Sequence, residues 1–521
     1  MKLRDLLAGV PLTGGNADLN MEINSISYDS RTLEPGALFV TLSGSKTDGH
    51  RYVAQALEKG AAAILCREPP RTGSWLSTPD PRAALARVSA AWFGYPGEEM
   101  TLIGVTGTNG KTTVSNMVED VLTQCGYEFT CNRSGSNVAT GVASSLIANS
   151  TLFGKPKKDL AVFELDERSA PRILPFIKPD LLLCTNIFRD SYKRNAHVEF
   201  ILDILNTYIP DSTKLVLNAD DLLCSSLKPS NRRVFFSIDP LPNDVEEAPT
   251  LVQDVRACPH CGATLEWDLR RYHHIGRAHC PQCGFTSPEA RYHVSAIDEN
   301  ARRMTVEGPD GPRQFALPNT SPINVYNALS AVALLAEFGL AKDRIAQCMD
   351  QLTIVESRFS KVELKGRGLV LHLAKGQNPI ACSQACANVQ QAPGKKTVLL
   401  LLDDAHDAAH SVENTAWLYD TDFEFLNQPD ILQVAVAGPR HWDVAVRLLM
   451  AGLPQEKLIH WEDPHQAAAA LEVEAPDTVF VLYDLYSVDL AKEVKGKLLQ
   501  RMALLPPKEP QPGKEAADHE N

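Results

Sequence analysis

Residues 100–121 read MTLIGVTGTNGKTTVSNMVEDV, and the order of residue types in that run decides the fold. Leu102, Ile103 and Val105 have the apolar character of a buried strand. Val114, Met117, Val118, Val121 and Leu122 then recur at helical spacing on one face. Between strand and helix stand Gly107, Thr108, Asn109 and Gly110, followed by Lys111, Thr112 and Thr113. Glycines at such a handover let the backbone curl around phosphates, while amide N–H groups and the positive helix end face the anion. Lys111 is placed to reach the terminal phosphates of ATP, and the Thr112 hydroxyl to ligate Mg²⁺. The full phosphate-loop pattern has a glycine where this chain has Val105, so GTNGKTT is the shorter variant.

The surrounding sequence frames that loop. Its 521 residues are enough for about three domains. A composition 44% hydrophobic and 22% charged is that of a globular protein. The formal charge of −13 argues against a general nucleic-acid binder. No apolar run approaches the roughly 20 residues that span a bilayer, and the start MKLRDLLAGVPLTGG lacks a secretory cleavage pattern. A cytoplasmic location is the expectation.

An α/β chain of three domains is predicted. Residues 1–98 alternate strands such as 37–42 with helical runs such as 52–60 and 81–93, and end at the turn-rich Gly94-Tyr95-Pro96-Gly97. Residues 99–352 carry the phosphate loop and strands at 160–165, 181–186 and 214–218, separated by helical stretches, which implies a mainly parallel sheet. A helix from Asn324 to Phe338 ends at Gly339. Residues 353–505 form a further α/β unit with strands near 397–402, 432–437 and 479–483. The almost apolar-free 506–521 reads as a disordered tail.

Two CxxC pairs, Cys258/Cys261 and Cys280/Cys283, are each followed by a glycine, Gly262 and Gly284. Four thiolates on two tight turns make a closed tetrahedral site for Zn²⁺, with no vacancy for substrate, so the ion is structural. The alternative is a redox pair. His260, His273, His274 and His279 lie nearby but are not needed to fill the shell. The ribbon, 255–290, reads as an insertion in the central domain.

The GTNGKTT loop, Asn324-Val325-Tyr326-Asn327 and Ser357-Arg358 occur in the order seen in Mur ligases, the ATP-dependent enzymes that build peptidoglycan peptides. Asn132 to Asn137, Glu164 to Glu167 and Thr185 to Asp190, together with the four-cysteine ribbon, resemble the MurT branch, the synthetase subunits of lipid II isoglutaminyl synthase. Trp417, Asp420, Asp422, Phe423 and Glu424, then Gly438, Arg440, Asp443 and Arg447, extend that resemblance into the last domain. The front is different: Asp29-Ser30-Arg31, Pro35-Gly36, Gly44 and Asp48-Gly49-His50 resemble the UDP-binding domain of MurE ligases.

The resemblance implies a three-domain Mur ligase architecture with a parallel-sheet ATP domain carrying a four-cysteine zinc ribbon and a Rossmann-like C-terminal domain. It implies formation of an amide from a carboxylate activated as an acyl phosphate. Lys111 and the loop amides would hold the phosphates, Thr112 and Glu164 would hold Mg²⁺, and Asn327 would contact adenine. Arg358 and Lys375 would join them as catalytic groups on domain closure. Asp29, Ser30, Arg31, His50, Arg133, Asn186 and His197 would contact the muropeptide precursor, UDP- or lipid-linked. Asp166 and Glu167 divide between a metal role and a solvated acidic turn, Asn327 between adenine and backbone, and Asp190 and His197 between Mg²⁺, substrate and a helix start.

Three departures bear on function. Lys375 lies in AKGQNP, two residues longer than the family's lysine–asparagine–proline, and Ser360 replaces a glutamate. The aspartate that would complete a partner glutaminase's triad is Asn414, with Asp404 and Asp407 as substitutes. Three readings therefore stand open: an amidating synthetase fed by a glutaminase, a MurE-like ligase adding an amino acid, and a non-catalytic nucleotide-binding scaffold.

Overall fold

The computed structural model describes residues 1–42, 48–92, 100–133, 136–151, 155–189, 197–242, 244–247, 250–352, 359–402 and 415–508. The chain divides into two compact units. One comprises Met1–Ile187, Ile201–Pro242 and Thr286–Leu352; the other comprises Phe188–Phe200, Asn243–Phe285 and Thr353–Asn521.

The first unit begins with strands Gly14–Gly15 (β1), Ser25–Ser27 (β2), Ala37–Val40 (β3), Ala63–Cys66 (β4) and Trp75–Ser77 (β5), ordered β1-β5-β4-β3-β2. All pairs are parallel except β1–β5. β3 is buried along its whole length because alternate residues serve two cores. Leu38 and Val40 pack with Ala84 and Val88 of the helix Pro81–Trp92. Ala37 and Phe39 pack with Val53 and Ala56 of the helix Val53–Glu58 on the other face.

The second sheet of this unit is built from Thr101–Thr106 (β6), Thr130–Cys131 (β7), Leu160–Glu164 (β8), Leu181–Cys184 (β9), Lys214–Asn218 (β10) and Arg233–Ile238 (β11). After β11 the chain leaves for a hairpin, Glu266–Tyr272 (β12) and Ile275–His279 (β13), that belongs to the second unit. It returns as Tyr292–Asp298 (β14), Arg303–Glu307 (β15) and Arg313–Ala316 (β16). The order is β16-β15-β14-β11-β10-β9-β6-β8-β7, parallel from β14 to β7 and antiparallel at β14–β15–β16. The helix Lys111–Gln124 buries Val114, Met117, Val118, Val121 and Leu122, the face its spacing predicts. It packs against the helix Pro322–Phe338, which is buried on all sides from Val325 to Leu335. Pro322 opens that helix and Gly339, at φ +111°, closes it.

The strands of the C-terminal stretch of the second unit are Phe359–Leu364 (β17), Arg367–Leu373 (β18), Lys396–Leu401 (β19), Ile431–Ala437 (β20), Leu458–Trp461 (β21) and Thr478–Tyr483 (β22). They form a six-stranded sheet in the order β17-β18-β22-β19-β20-β21. Only the β17–β18 hairpin is antiparallel. Val398 and Leu400 face one core and Leu399 and Leu401 the other, the arrangement of a doubly wound sheet.

Two features differ from the sequence reading. Residues 243–285, read as part of the central domain, are inserted there in sequence but fold within the second unit. Leu251 N–H donates to Asp422, and Arg189 joins Asp254 to Asp420 at 2.7 Å. Pro506 and Lys508, read as the start of a disordered tail, are instead tied down: Arg367 donates to the Pro506 carbonyl, and Lys508 N–H to that of Lys365. Residues 509–521 lie outside the described set.

Candidate active site

β6 ends at Thr106, whose hydroxyl donates to the Leu165 carbonyl at 2.9 Å and so levels the ends of β6 and β8. The loop that follows needs both of its glycines. Gly107 has φ +123°, and a Cβ there would lie 2.2 Å from Thr185 Oγ1. Gly110 has φ +82°, and its Cβ would lie 2.1 Å from Asn327 Oδ1. Only a residue without a side chain fits either position.

The Thr185–Asn186 segment holds the loop from beneath. Asn109 N–H donates to Asn186 Oδ1 at 2.9 Å, and Asn186 Nδ2 returns a bond to the Asn109 carbonyl at 3.0 Å. Thr185 Oγ1 reaches the same carbonyl at 2.7 Å, and Thr108 N–H donates to the Asn186 carbonyl. Asn186 is thus a loop clamp in this structure.

At the first turn of the helix, Lys111 Nζ donates to the Gly107 carbonyl at 3.1 Å and pairs with Glu167 at 3.4 Å. Burial works against the ammonium charge, but Glu167, Asp166 and Glu164 outweigh it and the lysine pKa lies above its ordinary value. Thr112 Oγ1 donates to Glu164 Oε1 at 3.0 Å, and Asn137 Nδ2 donates to the same oxygen at 2.9 Å. Asn132 brackets the Glu164 backbone, accepting from its N–H and donating to its carbonyl, each at 2.9 Å. Glu164 is therefore fixed from both its main chain and its carboxylate. Two hard oxygens at this separation suit Mg²⁺, which favours carboxylate and hydroxyl ligands beside phosphates.

The two acidic residues whose role the sequence left open are buried. Asp166 accepts from Arg168 N–H as the cap of a short 3₁₀ turn, and Glu167 is the partner of Lys111. Neither is a solvated turn. Asn327 stands in the second turn of its helix, buried against Gly110. Nothing in the sequence pairs Glu167 with Lys111, 56 residues away, or Asn137 with Glu164.

Arg133 pairs with Asp120 and lies 3.7 Å from Glu119. Glu119 sits inside the phosphate-loop helix, where burial pushes its carboxyl up to about 7. Asp29 and Arg31 form an exposed pair at 2.8 Å, which holds the aspartate down at about 2. Ser30 donates to Gln55, and His50 is seated on Asp48 at 2.9 Å. His197 is exposed immediately before the helix Val198–Tyr208. Gly44, Asp190, Arg358, Asp404, Asp407 and Asn414 lie outside the described residues.

In the second unit, Lys375 and Gln377 both have positive φ, +50° and +67°, on either side of Gly376. The turn ends at Asn378, whose side chain accepts from Ala381 N–H and caps the helix Pro379–Gln391. The two extra residues of AKGQNP are thus absorbed by left-handed backbone ahead of an intact cap.

The four ribbon sulfurs lie within 4.8 Å of one another, with Cys258–Cys283 at 3.6 Å and Cys261–Cys280 at 3.5 Å. Tetrahedral Zn–S bonds of about 2.3 Å give sulfur–sulfur edges of about 3.8 Å, so the cluster fits the ion. Both knuckles share one hydrogen-bond pattern: Gly262 N–H to the Cys258 carbonyl and Gly284 N–H to that of Cys280. Both glycines have positive φ. His273 and His274 pack on Phe188, and His279 pairs with Asp268 and Glu266, all outside the sulfur cluster.

Three stretches of the chain match known families. Residues 22–90 match the family described as "Mur ligase family, catalytic domain", residues 105–251 "Mur ligase middle domain", and residues 375–487 "MurT ligase C-terminal". The fold is that of MurF from Acinetobacter baumannii, at a TM-score of 0.62 and 17% identity over 96% of this chain and 98% of that one. A UDP-N-acetylmuramoyl-L-alanyl-D-glutamate–2,6-diaminopimelate ligase of Chlorobium phaeobacteroides is 25% identical over 77% of this chain and 76% of its own. The Staphylococcus aureus "Lipid II isoglutaminyl synthase (glutamine-hydrolyzing) subunit MurT" is 32% identical over 352 residues, 67% of this chain and 77% of that protein. With a relative of that identity and coverage, and a C-terminal region of the MurT type, this chain belongs to the MurT family of Mur ligases.

Proposed function

We propose that this chain is the ATP-consuming subunit of a carbon–nitrogen ligase that amidates the stem-peptide D-glutamate of a peptidoglycan precursor. The observation that carries the reading is the fixed trio at the phosphate loop: Lys111 charged at the Gly107 carbonyl, and Thr112 and Glu164 sharing a 3.0 Å bond. A carboxylate does not react with an amine until one oxygen is converted to a leaving group. Its oxygen attacks the γ-phosphorus of ATP, ADP departs, ammonia adds to the acyl carbon, and phosphate leaves with the carboxylate oxygen.

Each residue has a definite task in that sequence. Lys111 and the amides of Gly107 to Thr113 neutralise and orient the β and γ phosphates, a term commonly worth several kcal/mol. Thr112 and Glu164 would hold Mg²⁺, which supplies further charge neutralisation. Asn186 and Asn327 keep the loop open, and Asn327 also borders the adenine. Arg358 and Lys375 are the further catalytic groups. The Cys258, Cys261, Cys280 and Cys283 cluster would hold Zn²⁺ as a structural ion.

We assign residues 1–98 to the UDP-sugar end of the substrate through Asp29, Ser30, Arg31 and His50, residues 99–352 to ATP, and 353–505 to the C-terminal module. Arg133 and His197 are kept as substrate contacts. The S. aureus relative is a subunit of a glutamine-hydrolyzing synthase, which supports a glutaminase partner that supplies ammonia. Among the described residues no helix is long and apolar enough to cross a membrane, and dependence on ATP supports a cytoplasmic site of action.

A second reading, addition of an amino acid to a UDP-MurNAc peptide, is favoured by the MurE-like front and by Asn414 in place of the expected aspartate. Phosphate release with UDP- and lipid-linked muropeptides separates the two. Stimulation by ammonia, or by glutamine once a glutaminase is added, supports amidation. Stimulation by one free amino acid, with none by ammonia, supports addition and rejects amidation.

A further inference from the structure

Eight of the twelve cysteines lie outside the ribbon, and the structure brings two of them together across the ATP-binding sheet's helical face. Cys125 caps the C-terminal end of the phosphate-loop helix, and Cys348 lies in the last turn of the helix Lys342–Met349. The two helices pack on each other. Their sulfurs are 3.7 Å apart although the residues are separated by 223 positions. Arg344, one turn before Cys348, donates to the Gln124 carbonyl at 2.8 Å and ties the same two helix ends together. The contact is therefore part of a fixed corner of one unit.

Access distinguishes this pair from the others. Cys125 is partly exposed, whereas Cys348 is buried at 2%. Cys184 and Cys224 are both buried, as are Cys382 and Cys386, so an oxidant in solution meets neither sulfur of those pairs. Cys131, the other partly exposed thiol, is pushed up by burial and then by the neighbouring Glu119 carboxylate, both of which oppose thiolate formation. Closing 3.7 Å to the disulfide length of about 2.05 Å needs about 1.7 Å of sulfur movement, shared between two side chains.

We propose that Cys125 and Cys348 are a modification site: a dithiol that a small-molecule disulfide such as oxidised glutathione converts to an intramolecular disulfide strapping the phosphate-loop helix to the helix Lys342–Met349. The Cys125 thiolate attacks one sulfur of glutathione disulfide and expels one glutathione thiolate. The resulting mixed disulfide is attacked by Cys348, whose proton passes to solvent as the second glutathione leaves. Two protein thiols become one disulfide and one glutathione disulfide becomes two glutathiones. Burial pushes the Cys348 thiol up, which keeps it protonated and leaves the first attack on an oxidant in solution to Cys125. The strap closes a 223-residue span of the chain and restricts the unfolded state. It lies at the far end of the 14-residue helix, about 20 Å from the phosphate loop, so stability rather than nucleotide contact is what it controls.

The test is to equilibrate the full-length protein with glutathione disulfide, alkylate the remaining thiols, and map peptides without reduction. Wild type is expected to yield a Cys125–Cys348 cross-linked peptide with loss of two hydrogens, and a melting temperature raised by at least about 3 °C that reductant reverses. Cys348→Ala is expected to stop at a glutathione adduct on Cys125, and Cys125→Ser to form neither adduct nor cross-link at this corner. A wild-type protein in which Cys348 stays alkylatable, whether Cys125 is free or stably glutathionylated, overturns the proposal. So does a cross-link map in which Cys125 pairs with any other cysteine.

Discussion

Lys111 is held between the Glu167 carboxylate and the Gly107 carbonyl, and under the proposed function a phosphate above Gly107 would compete with Glu167 for the same ammonium. The carboxylates around it keep it charged, so it needs no proton before binding. Lys111→Ala is expected to lower phosphate release by at least about 10³-fold while leaving circular dichroism unchanged. A loss under tenfold would remove Lys111 from the mechanism. Glu119, on the same helix, makes a different prediction. Its carboxyl is raised from 4.5 to about 7 by burial, so the folded state holds the proton more tightly than the unfolded chain. Its cost is absent below about pH 4.5, grows as pH rises, and is complete above pH 7. Glu119→Gln should therefore gain up to about 3 kcal/mol over wild type between pH 4 and pH 8 in urea denaturation. A difference that does not vary with pH would contradict the burial argument.

At the level of elements, the glycine turns of the phosphate loop and of the two CxxC pairs are where sequence and structure agree most closely, because each depends on backbone conformations that few residues can adopt. Gly107, Gly110, Gly262 and Gly284 all have positive φ. Gly110→Ala is expected to weaken ATP binding at least tenfold by calorimetry, since its Cβ meets Asn327 at 2.1 Å. Retained affinity would show that the loop can shift. For the ribbon, metal analysis is expected to find one zinc per chain, lost in Cys283→Ser together with protection of residues 250–285 from proteolysis. Zinc content unaffected by that change would reject the four-sulfur site. What the sequence concealed were contacts between distant residues. The apolar spacing of Val114 to Leu122 announces a helix face, but nothing local announces that Glu167 will meet Lys111 or that Asn132 and Asn137 will bracket Glu164. Likewise 243–285 lies in sequence between central strands but belongs to the other unit, to which long-range bonds such as Leu251–Asp422 and Arg189 between Asp254 and Asp420 tie it.

For the molecule as a whole, each unit carries a distinct part of the account: the loop, Glu164 and the front sheet in one, and the ribbon and the MurT-type sheet in the other. In the proposed function the phosphate loop serves to make a carboxylate reactive. The decisive measurement follows the oxygen. A muropeptide labelled with ¹⁸O in its free carboxylates is turned over with ATP and ammonia, and the released phosphate is analysed by mass spectrometry. An acyl phosphate route predicts phosphate carrying one ¹⁸O from the substrate for each amide formed. Unlabelled phosphate accompanying amide formation would contradict it.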